Sequence, residues 1–198
     1  MGVIMTAVQI KVPNWLDRIF VWPVLLYRKY KFGWPFRRIY LGEGIFTIVS
    51  PPDYYKYNIF NWCLNRDGRN MYAVRVVTVN DVGRRSIKII ALHREILKVP
   101  PGMLVDHRNN NSLDNRMDNL RIATHAQNNC NRRKTSSNTS SQFIGVCFYK
   151  RHNRWAVNIS HKGKKIFLGY FDTETDAARA YDEAARKYHK EFARLNFP

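Results

Sequence analysis

An α+β fold is predicted for this 198-residue chain, on three observations. Short runs rich in β-branched and aromatic residues crowd the region 36–92, the pattern of a β-rich module. A strand–loop–strand–helix unit follows within 103–131. From Gln142 onward the pattern becomes three short strands and one helix, which makes a three-stranded antiparallel sheet packed on that helix. The predicted organisation is an unassigned extension (1–35), a β-rich module running into the strand–loop–strand–helix unit (36–134), a linker (135–141) and a C-terminal domain (142–198). The linker lies in a stretch from Arg132 to Ser141 that holds no apolar residue.

Taken in order, strands are predicted at Ile39–Leu41, Gly44–Val49, Met71–Val77 and Ser86–Ala91. Turns are placed at 65–68 and 80–83, where Asn, Asp and Gly cluster. Leu92–Leu97 reads as a short helix stopped before Pro100-Pro101. Met103–Val105 forms a strand ending in Asp106-His107, the Asn- and Asp-rich run 109–118 a tight loop, and Leu120–Ala123 a second strand. Thr124 with Gln127 is a capping-box signature that starts a helix. In the C-terminal domain the strands are Phe143–Tyr149, Arg154–Ser160 and Lys164–Tyr170. The helix opening at Thr173 stripes Ala177, Tyr181, Ala184 and Tyr188 along one face.

Charge narrows the function. With 33 Lys and Arg against 15 Asp and Glu, the chain carries a formal net charge of +18. That points to a polyanionic partner, nucleic acid or an anionic membrane surface, and exceeds what a small-molecule substrate would need. At 45% hydrophobic and 14% aromatic residues the chain can bury a core, which excludes wholesale disorder. The longest apolar stretch near the start, Ile19–Tyr27, is nine residues and contains Pro23, whereas a membrane span needs about 20. No signal peptide is read there. Residues 1–35 are expected to be a docked or frayed extension, with an aromatic-basic interfacial segment over 14–38 as the alternative. Three widely spaced cysteines form no disulfide framework and suggest a reducing compartment. The charge is uneven: residues 1–92 hold a net +9, and 135–170 carry six basic residues and no acid.

The densest chemistry lies at 103–131. An imidazole takes a proton from water near neutral pH, which suits His107 to general-base work. The Asp106 carboxylate and the Asn128 amide oxygen are hard ligands for an oxophilic divalent ion, and Asn119 can tie the polar loop down through its backbone. One divalent ion stabilising a phosphodiester beside an activated water would make this a hydrolytic site. His125, in the first helical turn, reads as a solvated or backbone-bonded imidazole, and His93 as structural or phosphate-contacting.

The combination Val105-Asp106-His107, Asn115-Arg116, Asn119-Leu120-Arg121 and Asn128-Asn129 resembles the HNH nucleases with a ββα-metal motif, over about residues 92–134. The closest branch is the homing-endonuclease-like group of phage and bacteria. The resemblance implies His107 as general base and Asn119 as a structural member of the catalytic pair. It implies Asp106 and Asn128 as ligands of one Mg²⁺ (or Mn²⁺) ion. His93-Arg94 matches an upstream helix of that group, and the Cys₄ zinc sites of some of its members are absent.

In the C-terminal domain Trp155, Val157 and Ile159 alternate with polar residues, so the helix covers one sheet face and leaves the other free. A β-sheet can enter the major groove. On the free face Lys150, Arg151, Arg154 and Lys165 are candidate phosphate contacts, and Tyr149, Asn158 and Phe167 candidate base or sugar contacts. Residues 142–198 resemble the APETALA/ethylene-response-factor DNA-binding domain. The resemblance rests on Phe143-Ile-Gly145-Val146, Trp155–Ile159, Leu168–Asp172, Ala177–Ala185 and Leu195-Asn196-Phe197. Ile144, Cys147 and Ser160 stand where plant factors usually have Arg, and Phe167 replaces the usual Trp, so the plant target sequence does not transfer.

The predicted function is therefore a metal-dependent HNH DNA endonuclease, phosphodiester-hydrolysing and targeted to double-stranded DNA by the C-terminal sheet. Its oligomeric state is open, and one active site per chain would nick. The pairing resembles mobile-element nucleases and implies a bacterial or phage-encoded cytoplasmic protein. The rivals are a DNA-binding regulator with an inactive HNH module and a basic RNA- or ribosome-associated protein.

Overall fold

A computed structural model describes residues 13–68, 70–81, 84–132 and 139–198. It is α+β throughout and divides into two compact units, Met1–Ile89 and Ile90–Pro198.

The first unit opens on α1 (Asn14–Phe32), in the region left unassigned above. It starts after Pro13 and ends where Gly33 turns left-handed (φ 83°) and returns its N–H to the Lys29 carbonyl. The helix buries none of its own residues, and Trp15, Phe20, Trp22 and Tyr30 are exposed. Asp17 nevertheless anchors it: the carboxylate accepts from Arg37 at 2.7 Å, and that guanidinium lies 3.7 Å over the Tyr54 ring. Burial works against the Asp17 charge, but Arg37 and Tyr55 outweigh it and lower the pKa. No described helix is long and apolar enough to cross a membrane.

β1 (Arg37–Gly42) and β2 (Ile45–Val49) form an antiparallel hairpin, with the cross-strand rings of Tyr40 and Phe46 5.4 Å apart. α2 (Pro51–Tyr57), which the strand pattern did not foretell, has Pro in its first positions, where a missing N–H costs nothing. β3 (Cys63–Asp67), β4 (Asn70–Asp81) and β5 (Arg84–Ala91) make a second sheet in that order. The turn predicted at 65–68 is in fact mostly strand. Asn65, Arg66 and Asp67 lie in β3, where Asp67 pairs with Asn70 of β4. Beyond Ala73 and Val74 the β4–β5 ribbon leaves the core, and Val76, Val79, Ile87 and Ile89 are exposed. Of the turn predicted at 80–83, Val82 and Gly83 lie outside the described residues.

The second unit begins with α3 (Leu92–Leu97), whose Leu92 and Ile96 are buried. β6 (Leu104–His107) runs antiparallel to β8 (Leu120–Ala123), with Asp106 opposite Arg121 and His107 opposite Leu120. Between them lie the two-residue β7 (Asp114–Asn115) and a 3-10 turn at Met117–Asn119. α4 (His125–Cys130) starts on the predicted capping box: the Thr124 hydroxyl accepts from the Gln127 N–H while Gln127 Oε1 accepts from the Thr124 N–H.

β9 (Val146–Tyr149), β10 (Arg154–His161) and β11 (Lys164–Phe171) form the three-stranded antiparallel sheet. α5 (Glu174–His189) covers one face through Ala177, Ala178, Tyr181 and Ala185, packed on Val146, Val157 and Ile159. Small alanines allow that close approach. β9 is shorter than predicted because Gly145 is left-handed, which interrupts the extended chain before it. Of the predicted linker, residues 135–138 lie outside the described residues. Thr139, Ser140 and Ser141 bond among themselves and to Phe143 and Phe148, so they belong structurally to the C-terminal domain.

Candidate active site and nucleic-acid face

Asp106 and His107 close β6, and both are buried. The loop after them is held by its own polar side chains. The Asn109 side-chain Oδ1 accepts from the Asn111 N–H, and the Asn111 Oδ1 from the Leu113 N–H, two successive Asx turns. Asp114, 2% exposed, takes a two-pronged bond from Arg116 at 2.8 and 2.7 Å and a third bond from the Asn109 amide. Asn119 spans the loop. Its Oδ1 accepts from the Asn109 N–H at 3.0 Å, its Nδ2 donates to the Asp114 carbonyl at 2.8 Å, and its own carbonyl accepts from the Arg108 N–H. Loop bonds of this density hold β7, and with it Asn115, beside His107.

His107 Nε2 lies 3.3 Å from Asn115 Oδ1. An amide oxygen only accepts, so Nε2 carries the proton and Nδ1 keeps a lone pair. Burial pushes the His107 pKa below its ordinary value, more strongly than the Asn115 bond and the Asp106 and Asp114 carboxylates pull it up. The ring is consequently neutral at pH 7, the form a general base requires. His93 packs edge-on against it, with ring centroids 5.4 Å apart. Its pKa is lowered to about 3 by burial first, then by His107 and Arg94.

That shift has a stability consequence. A histidine with a depressed folded pKa releases its proton on folding, so its contribution is lost as pH falls below the unfolded value. Between about pH 7.5 and pH 5, His93 alone is expected to cost about 2 kcal/mol of stability. Melting curves at the two pH values test this: His93→Gln should flatten the difference, and an unchanged slope would reject the assignment.

Asp106 is held on both oxygens. Oδ2 receives Arg121, with Nε at 2.7 Å and Nη2 at 2.5 Å. Oδ1 receives the Asn131 amide at 2.9 Å. The same amide nitrogen reaches the His107 carbonyl at 3.0 Å, and Asn131 Oδ1 accepts from Asn110. Each carboxylate oxygen has two lone pairs, so Oδ1 keeps one open. Among the described residues no three His, Cys, Asp or Glu side chains group to hold a metal. The Asn115, Asn119 and Asn131 amide oxygens are taken up by His107, Asn109 and Asn110. The candidate donors are therefore the Asp106 carboxylate and the Asn128 amide oxygen, on a side chain half-buried on α4. That set fits a hard divalent ion that completes its shell with water and phosphate oxygens. Sequence reasoning picked out Asp106, His107, Asn119 and Asn128 but passed over Arg121 and Asn131. A signal existed for each: strict antiparallel pairing sets Arg121 opposite Asp106, and Asn131 follows Asn128 by one helical turn.

On the C-terminal sheet the face away from α5 carries rings. Tyr149 and Phe167 both contact Tyr170, at 5.6 and 4.9 Å between centroids, and His152 lies 4.8 Å from Tyr170. A bulge at Gly169 (φ 130°) explains the grouping: the register slips between Val157 and Asn158, so residues 167 and 170 share a face although three apart. Tyr170 and His152 were not singled out from the sequence, because strict alternation puts 167 and 170 on opposite faces. Lys150, Arg151 and Lys165 are exposed at the rim, and Asn158 is half-buried. Arg154 is committed elsewhere in the free chain, forked onto Asp172 at 2.7 and 2.9 Å.

Comparison with known proteins finds two family profiles in the chain. An HNH endonuclease family profile matches residues 98–130, and an AP2 domain profile matches residues 141–191. APETALA2-like protein 2 of rice is 48% identical over 65 residues, which are 33% of this chain and 15% of the rice protein. The chain thus spans only a small part of the plant factors it matches. Protein 3.8 of Escherichia phage T7 is 31% identical over 97 residues, 49% of this chain and 78% of the phage protein. No solved structure matches. An uncharacterized HNH endonuclease of Acanthamoeba polyphaga mimivirus is 32% identical over 165 residues, 78% of this chain and 76% of its own. A likeness that runs through three quarters of both proteins is more than one shared motif, and the chain belongs to the HNH endonuclease family.

Proposed function

We propose that this protein is a divalent-metal-dependent DNA endonuclease that hydrolyses phosphodiester bonds, with the C-terminal sheet bringing it to double-stranded DNA. The observation that carries the reading is the neutral, buried His107, protonated toward Asn115 and adjacent to a carboxylate with one open lone pair. In this reading His107 Nδ1 takes a proton from water as the water oxygen bonds to phosphorus. One bridging P–O bond breaks, and the departing oxygen is protonated from solvent. Asn119 keeps the loop, and so Asn115 and His107, in place. Asp106 and Asn128 would hold one Mg²⁺ or Mn²⁺ ion, which supplies stabilisation of the charge developing on the phosphate.

Substrate capture falls to the sheet. Lys150, Arg151 and Lys165 neutralise phosphates, while Tyr149, Asn158 and Phe167 meet bases or sugars, with Tyr170 added to them. Arg154 joins when a phosphate displaces Asp172. A single site acting once per visit yields nicks.

Supercoiled plasmid tests the reading. Wild type with Mg²⁺ or Mn²⁺ should convert it to the open-circular form, and chelation should stop the reaction. Inert protein across both metals and a range of DNA substrates would sink it in favour of a binding-only regulator.

A further inference from the structure

Arg121 connects the two halves of the second unit. Its Nε and Nη2 edge meets Asp106 Oδ2 alone. Its Nη1 donates to the Glu191 carbonyl, and its guanidinium carbon lies 4.0 Å over the Phe192 ring. Both Arg121 and Phe192 are buried.

Glu191 and Phe192 sit in a 3-10 turn (Lys190–Phe192) directly after α5. That turn is fixed at both ends. Lys190 leaves the helix at φ 51° and ψ −127°, a conformation that non-glycine residues adopt only when their surroundings impose it. Beyond it the buried Asp182 carboxylate accepts from the Asn196 and Phe197 N–H groups, at 2.8 Å each, and the Asn196 side chain clasps the Ile144 backbone. The clamp on Arg121 is therefore built by the body of the C-terminal domain.

A free guanidinium meets a carboxylate most favourably as a fork, one nitrogen to each oxygen. Such a fork would occupy Asp106 Oδ1 as well. The Nε and Nη2 edge can fork in this way, as it does from Arg116 to Asp114 and from Arg154 to Asp172. With Nη1 tied to Glu191 and the plane stacked on Phe192, the Arg121 edge is instead held so that both nitrogens converge on Oδ2. Oδ1 is left to Asn131 and one open lone pair.

We propose that Arg121 is a positioning residue through which the C-terminal domain, by Phe192 and the Glu191 carbonyl, keeps Asp106 Oδ1 open to a divalent ion. The C-terminal domain is then part of the nuclease site and more than a tether. What Asp106 ligates rests on the proposed function; the strut does not.

The test uses the full chain and Mn²⁺, titrated by electron paramagnetic resonance without DNA. Phe192→Leu keeps apolar volume but removes the ring, and Arg121→Lys keeps the charge but removes the held edge. Each should raise the Mn²⁺ dissociation constant by about 3- to 10-fold, while duplex binding measured in chelator stays within about two-fold. A merely structural role would not separate the two affinities. An unchanged Mn²⁺ constant in both variants overturns the proposal. Should wild type bind no Mn²⁺ that is sensitive to Asp106→Asn, the nuclease reading fails instead, and melting decides the strut. The effects of Asp106→Asn and Phe192→Leu should then depart from additivity by about 2 °C or more; additive shifts overturn it.

Discussion

His107→Ala should lower plasmid nicking by about 10²- to 10⁴-fold, the range a positioned general base contributes. Its DNA affinity should stay at the wild-type level, because His107 is buried in the β6–β8 unit and the rings and lysines of the C-terminal sheet are elsewhere in the chain. The loss is expected in the chemical step. An Asn115→Ala variant keeps the imidazole but loses the oxygen that holds the proton on Nε2, so it should lose rate through the wrong tautomer. The two variants together should be little worse than His107→Ala alone, since groups acting as one unit do not add. A His107→Ala protein that nicks within about three-fold of wild type would remove His107 from the mechanism.

The pH profile follows from the same ring. Burial lowers the His107 pKa, so the base form already dominates at pH 7, and nicking should fall only on the acid side of the ordinary imidazole range. The His93 effect on folding falls in an overlapping acid window. The rate should therefore be measured at temperatures where the fold survives, with the melting curves as the control.

How much of this was legible in the sequence depends on what kind of contact is involved. The β6–loop–β8–α4 order was readable because local signals write it: a short strand run at Leu120–Ala123, Asx chemistry at 109–118 and a capping box at Thr124. The three C-terminal strands and α5 were readable for the same reason. α1 was not, since its apolar residues face outward and its stripe points to no core. α2 begins on two prolines, which look like a break and act as a helix start. At the site, individual side chains with chemistry were visible, but their partners were not. Arg121 reads as one more basic residue until the register sets it opposite Asp106, and its clamp comes from a turn 70 residues away in sequence. The aromatic group on the sheet hid behind a bulge that no alternation rule anticipates.

Gly145→Ala should be the most disruptive single methyl in the C-terminal domain. An added Cβ would stand 2.1 Å from Tyr181 Cδ2, 2.3 Å from Cε2 and 2.8 Å from the Asn158 carbonyl oxygen. The Asn158 oxygen belongs to the β10 backbone, and the Asn158 N–H already bonds the Gly145 carbonyl, so neither strand can retreat without breaking that contact. Tyr181 is equally fixed: its ring is buried between α5 and the sheet, and burial first, then Cys130 and Asp182, pushes its hydroxyl pKa up to about 12. Overpacking and the left-handed backbone (φ 76°) together should cost about 3 kcal/mol, a fall of about 12 to 24 °C in melting temperature for a domain of this size. On a Tyr181→Ala background the same change should cost less, because the ring it strikes is gone. Equal costs on both backgrounds, or a melting temperature within about 2 °C of wild type, would mean the sheet can breathe there and the packing argument is wrong. Gly145→Ala should also be the converse of His107→Ala in function. It loosens α5 and the turn that ends it, so duplex binding and the hold on Arg121 should weaken together, whereas the histidine variant binds DNA and fails to cut it.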